Sequence, residues 1–192
     1  VGALETANWG ALWEASHPEA QAQVIELHRS LHDALEMVSA LYATAELPIA
    51  RAALGRDLVS GIPKDAPDVG PRMLSRLFAA GAIRLDDKAR AGLTTTRATI
   101  DGVSAIVHTT AGEVFTFGRS GGVWRSRLLI DMLERSRAVA TLRESVSAVQ
   151  AAAKSQHEAW STSRDPRHPQ GAYNLLRSAM ERTPVDASVA YA

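Results

Sequence analysis

The histidines are the first place where residue type and spacing in this chain could do chemistry. His28 and His32 stand four apart in a stretch of helical periodicity, so both rings lie on one helical face, as a pair of metal ligands requires. Asp33 and Glu36 are near enough to supply a third ligand or an orienting hydrogen bond. No Glu follows His28 to serve as the base of a metalloprotease motif, and the apolar stripe Leu27, Leu31, Leu35 abuts the pair. The pair is therefore read as the solvated flank of an amphipathic helix, with no bound metal. His108 and Asp101 are the other candidates, as the acid–base pair of an alternative, enzymatic reading; such a pair needs burial to tune its protonation. Alternation about Ala105 and Val107 turns His108 away from the core, and Asp101 precedes Gly102 in a turn that favours Asp for backbone reasons alone. The preferred reading assigns no catalytic residue.

Other chemistries find no footing. The chain has no cysteine, which excludes disulfides, thiolate metal sites and cysteine nucleophiles. No serine sits in a nucleophile elbow, and Gly118-Arg119-Ser120-Gly121-Gly122 lacks the Lys-Ser/Thr ending of a phosphate loop, so no cofactor is expected. Cationic and anionic side chains balance at 21 each, so no global field favours nucleic acid. No stretch approaches the ~20 apolar residues of a membrane span. Arg119, Arg125 and Arg127 form a local basic cluster that would receive an acidic partner, or simply discourage edge association. Trp9 and Trp13, four apart on a short helix, are expected to clamp onto the sheet, with a partner interface as the other reading.

These residues are positioned by helices and a meander. Asp101-Gly102, Ala111-Gly112 and Gly121-Gly122 cut residues 93–130 into four short segments rich in Thr, Val, Ile and Phe, an antiparallel meander with register pinned by tight turns. Phe115 and Phe117 share one face of their strand, with Ala105 and Val107 on the same buried side; Trp124, Leu128 and Ile130 share one face of the last strand, with Arg125 and Arg127 pointing the other way. Phe115, Phe117, Trp124 and Leu128 are thus the candidate lining of an apolar ligand pocket, buried against a helix from Pro18 to about Thr44. That helix carries Val24, Leu27, Leu31, Leu35, Val38 and Tyr42 on one stripe, opened by a capping box at Ser16-His17-Pro18-Glu19. Short helices are predicted over 1–14 and 49–59. A loop spans Ser60–Pro71, a helix follows from Pro71 to a stop at Gly81, and Ile83-Arg84-Leu85 reads as a brief strand. A long helix runs from about Asp131 to Trp160.

The fold class is therefore α+β: N-terminal helices packed on a four-stranded antiparallel meander, followed by a long C-terminal helix. Residues 1–160 form the domain, 161–170 a linker, and 171–192 a helical segment. Ser178–Glu181 with Asp186–Tyr191 echoes Gly2–Glu5 with Asn8–Trp13, so that segment could begin a second copy of the unit. Since the chain starts at Val1 rather than Met, it is expected to be processed or cut from something longer.

Ile100-Asp101-Gly102-Val103-Ser104-Ala105-Ile106-Val107, then Glu113-Val114-Phe115-Thr116-Phe117 closing on Gly122-Val123-Trp124-Arg125, resembles the strand block of the nuclear transport factor 2-like superfamily. Asn8–Trp13 followed by Ser16-His17-Pro18-Glu19-Ala20 is similar to the family's opening helix and its Ser-Pro-Glu link. The resemblance covers about two-thirds of the chain and implies a curved sheet wrapped on helices as a cone. The insert Leu47–Gly92 and the helix after the last strand are additions to the family's pattern. Some members are isomerases or dehydratases, which is the alternative function. Many bacterial members bind ligands or partners, often outside the cytoplasm. The reading adopted is a non-catalytic binding or scaffold domain of a bacterial cell-envelope protein. It would be periplasmic or envelope-associated, one module of a longer chain, taking a protein partner or an apolar small ligand, with a homo-oligomer left open.

Overall fold

A computed structural model describes residues 8–41, 47–84 and 95–163. The order of elements is α1 (Trp9–Ala15), α2 (Pro18–Leu41), α3 (Leu47–Ala53), α4 (Arg56–Val59), α5 (Val69–Ala79), β1 (Thr95–Asp101), β2 (Ser104–Thr109), β3 (Val114–Ser120), β4 (Val123–Ser126), α6 (Leu128–Arg135) and α7 (Arg137–Ser163). The chain is α+β with an antiparallel meander. It divides into two compact units, Val1–Glu26 with Asp65–Ser136, and Leu27–Lys64 with Arg137–Ala192.

The first unit holds the sheet, in the order β1-β2-β3-β4 with every pair antiparallel. The three turns lie where the sequence puts them. Gly121 and Gly122 both take positive φ, +57° and +81°, as the two central residues of a type I′ turn must. The middle connection closes with the Gly112 N–H donating to the Thr109 carbonyl, and Gly112 is left-handed at φ +79°. The fourth strand is shorter than expected. It ends at Ser126, and Leu128 and Ile130 belong to α6, where Leu129, Ile130 and Leu133 are buried. The helix expected to begin at about Asp131 starts at Leu128, with Asp131 in its first turn.

α5 ends as Gly81 predicts. The Ala82 N–H reaches back to the Leu77 carbonyl (2.9 Å) and the Gly81 N–H to Phe78 (3.0 Å), the paired bonds of a Schellman stop with Gly81 at φ +64°. Ile83 and Arg84 are not in a strand, and Leu85 lies outside the described residues. The expected helix from Asp131 to Trp160 is broken at Ser136. That residue is extended (φ −73°, ψ 112°) and its hydroxyl donates to the Ala82 carbonyl.

In the second unit, α2 buries Leu27, Leu31, Ala34 and Val38, while Leu35 is half-buried and Tyr42 lies outside the described residues. α7 buries Val139, Leu142, Val146, Val149 and Ala152 at helical spacing. Gly55, left-handed at φ +66°, leaves room for Leu142 and Leu58: a Cβ there would stand 3.0 and 3.1 Å from their methyl carbons. The expected linker 161–170 starts too early, since α7 continues through Ser163; the rest of it and the segment 171–192, with its echo of the N-terminus, lie outside the described residues, as do residues 1–7 and the Trp160 side chain.

Candidate functional site

The sheet is held at one edge by the α1–α2 junction. Ser16 bridges Ser126 in parallel sense, and the His17 N–H donates to the Ser126 carbonyl at 2.9 Å. The expected capping box does not form, because its partners are drawn elsewhere. The Ser16 hydroxyl donates to the Leu12 carbonyl (2.7 Å), closing α1, and the Glu19 carboxylate meets Arg127 at 3.2 Å. The cap of α2 falls to His17, whose Nδ1 accepts the Glu19 N–H at 3.3 Å. The His17 ring lies over Gly118, where a Cβ would be 3.0 Å from its Cδ2 and Nε2.

Register and alternation sort the sheet residues into two faces. Ala105, Val107, Thr109, Phe115, Phe117 and Trp124 share one, through the pairs Ala105↔Phe117, Val107↔Phe115 and Arg119↔Trp124. Ala105 and Thr109 are buried; Phe115, Phe117, Trp124 and, in α6, Leu128 are only half-buried, where burial against α2 was expected. The other face carries His108, Ile106, Val114, Thr116, Gly118, Arg125 and Val123. There Ile106 and Val114 are diagonal neighbours across the β2–β3 pair, exposed at 42% and 49%.

The sequence candidates are largely dispersed. His108 is exposed and pairs with Val114, whereas Asp101 pairs with Ser104 at the far end of β2; four residues along a strand separate them by about 13 Å. The basic cluster divides. Arg119 shares the Trp124 face and donates from Nε to the Gly122 carbonyl, Arg125 stands on the opposite face, and Arg127 lies past the strand in its ion pair with Glu19. Trp9 and Trp13 both meet α5. Trp9 stacks on Phe78 with centroids 4.9 Å apart, and the Trp13 ring fills the space above Gly70. As α1 advances from Trp9 to Trp13, its contacts on α5 retreat from Phe78 to Gly70, so the two helices run in opposite senses.

The histidine pair of α2 lies in the second unit, and the solvated-flank reading is overturned. His28 is fully buried, and neither ring nitrogen has a hydrogen-bond partner within the described residues. Its ring meets that of His32 edge-on at 4.6 Å. The Nε2 of His32 lies 2.9 Å from the Ile62 carbonyl, and Asp33 is ion-paired with Lys64. Burial, then the neighbouring His32, lowers the His28 pKa below its ordinary 6.5; the Ile62 carbonyl opposes this and Arg29 adds to it. A neutral ring is thereby favoured. Among the described residues no three His, Asp or Glu side chains gather as metal ligation requires. The hydrogen bond that holds His32 beside the buried ring comes from Ile62, thirty residues further on, which the sequence does not signal.

The chain gives no match to models of known protein families, to curated proteins or to solved structures.

Proposed function

We propose that this chain carries a nuclear transport factor 2-like binding or scaffold domain of a bacterial cell-envelope protein, one that takes a protein partner or an apolar ligand on its sheet without turning it over. The observation that carries the reading is the open sheet face on which Ile106 and Val114 stand exposed side by side. Aliphatic side chains adjacent on an unfilled sheet face offer dehydrated area to an extended peptide or a flat apolar molecule. Helices ahead of a Gly-turned meander that closes on Gly122-Val123-Trp124-Arg125 support the family assignment, and the envelope location rests on that resemblance.

Panning a displayed peptide library against the purified domain tests this reading. Apolar, β-forming peptides are expected to enrich, and Ile106→Lys with Val114→Lys is expected to abolish their binding while leaving the circular dichroism unchanged. No enrichment, or peptides that bind the double variant equally well, would refute it.

A further inference from the structure

The two edges of the sheet are treated differently. The β4 edge is met at Ser126 by Ser16 and His17, while the β1 edge has no partner among the described residues and all seven residues of β1 are exposed. Such an edge is a template for another strand, and proteins usually protect it with charge or a bulge. Both are present here: the register shifts between Thr95 and Arg97, and the strand carries Arg97 and Asp101. Neither charge has an ion-pair partner among the described residues.

We propose that the β1 edge pairs with the β1 edge of a second copy of this chain, antiparallel and centred on Thr99. This inference does not depend on the binding reading above. The hydrogen-bonding direction allows the pairing. Asp101↔Ser104 closes a two-residue turn, so Asp101, Thr99 and Arg97 address their backbone groups to β2, and Ile100 and Ala98 address theirs outward. Centring on Thr99 sets Ala98 opposite Ile100 of the second copy, so the outward groups of each strand meet outward groups of the other.

The same register places Arg97 opposite Asp101 of the second copy and, by the two-fold axis, Asp101 opposite Arg97. Both pairs fall at non-hydrogen-bonded positions, where facing side chains come closest. Thr99 faces itself between them. On the other sheet face Ile100, 66% exposed in the single chain, packs beside Ala98 of its partner. Shifting the centre to Ala98 would put Arg97 opposite Thr99 and leave both charges unmatched. Charge complementarity thus selects one register, and the bulge after Thr95 stops the pairing from lengthening. Because the contact is isologous it closes at two copies. A pairing this short buries less than the ~1,200 Å² of a stable interface, so a weak dimer is expected.

Sedimentation velocity on the whole chain, from about 10 µM to about 1 mM, tests the proposal over the range expected for a small interface. The weight-average mass should rise toward that of a dimer, and less so at high salt. Arg97→Asp or Asp101→Arg alone should weaken association at least about tenfold, the scale of losing opposed charge pairs and gaining repulsive ones, and the double exchange should restore it. Ala98→Pro removes an outward N–H that β2 does not use, and should abolish dimerisation while leaving the monomer's circular dichroism intact. A chain that stays monomeric throughout would overturn the proposal. So would association beyond two copies, or a dimer indifferent to the single charge reversals and to Ala98→Pro.

Discussion

Replacing Gly70 by Ala should destabilise the first unit although the residue is helical and Ala is the better helix former. Gly70 is the second residue of Val69–Ala79, and a Cβ there would stand 2.3, 2.4 and 2.5 Å from Trp13 Cζ2, Cε2 and Cη2. Carbon atoms rest about 3.5–4.0 Å apart, so the shortest contact falls roughly 1.2 Å short. The indole is a rigid bicycle and cannot yield by bending. Either the ring leaves its place or the two helices separate, which costs about 1–3 kcal/mol for overpacking of this kind. Helix propensity offsets at most about 1 kcal/mol. The net loss should be about 1–2 kcal/mol. In a Trp13→Ala background the obstacle is gone, and the same Gly70→Ala change should be neutral or stabilise by up to about 1 kcal/mol, so the coupling between the sites is roughly 2 kcal/mol. Urea denaturation of the four members of this cycle, followed at 222 nm, measures it. If Gly70→Ala stabilises the parent protein, or acts with the same sign in both backgrounds, then Trp13 does not occupy the space above Gly70 and the packing of the two helices is misassigned.

The second unit should be acid-sensitive through His28. Its pKa is lowered in the folded state, so the unfolded chain binds the proton more readily; stability is full above pH 6.5 and declines as pH falls from 6.5 toward the lowered folded value. The slope is at most about 1.4 kcal/mol per pH unit for this one proton. Unfolding midpoints of the parent and His28→Leu between pH 7.5 and about 5 should diverge as pH falls, with the variant the flatter; identical pH profiles would show that His28 is not the titrating group. Trp124→Ala should cost about 2–3 kcal/mol, less than the ~3–5 of a fully buried tryptophan, because its side chain is half-buried. A loss near 5 kcal/mol in equilibrium denaturation would mean the ring is more deeply packed than its exposure indicates.

Much of this architecture is legible in the sequence, and the legible parts are those decided within a few residues. Gly102, Gly112, Gly121 and Gly122 mark the meander because left-handed backbone is costly to every residue with a Cβ, a steric rule that needs no tertiary context. Val24, Leu27, Leu31 and Val38 announce their helix through spacing alone, and Gly81 announces the end of another. The position of β1 at the end of the strand order agrees with its Thr-rich, weakly patterned sequence. What tertiary structure decided depended on groups far away in the chain. Leu128 and Ile130 alternate well enough for a strand, and over so short a run neither period excludes the other. The break at Ser136 is tied to the Ala82 carbonyl, fifty-four residues earlier, with no Pro or Gly to signal it. Ser16 and Glu19 have capping-box spacing, but the Leu12 carbonyl and the Arg127 guanidinium compete successfully for them. His28 lies on a flank that looks solvated in sequence and is fully buried in the fold, beside the His32 ring that bonds the distant Ile62 carbonyl. Local sterics can be read one residue at a time. Which buried group meets which partner is set by the folded chain, where contacts between distant residues choose among local options of nearly equal energy.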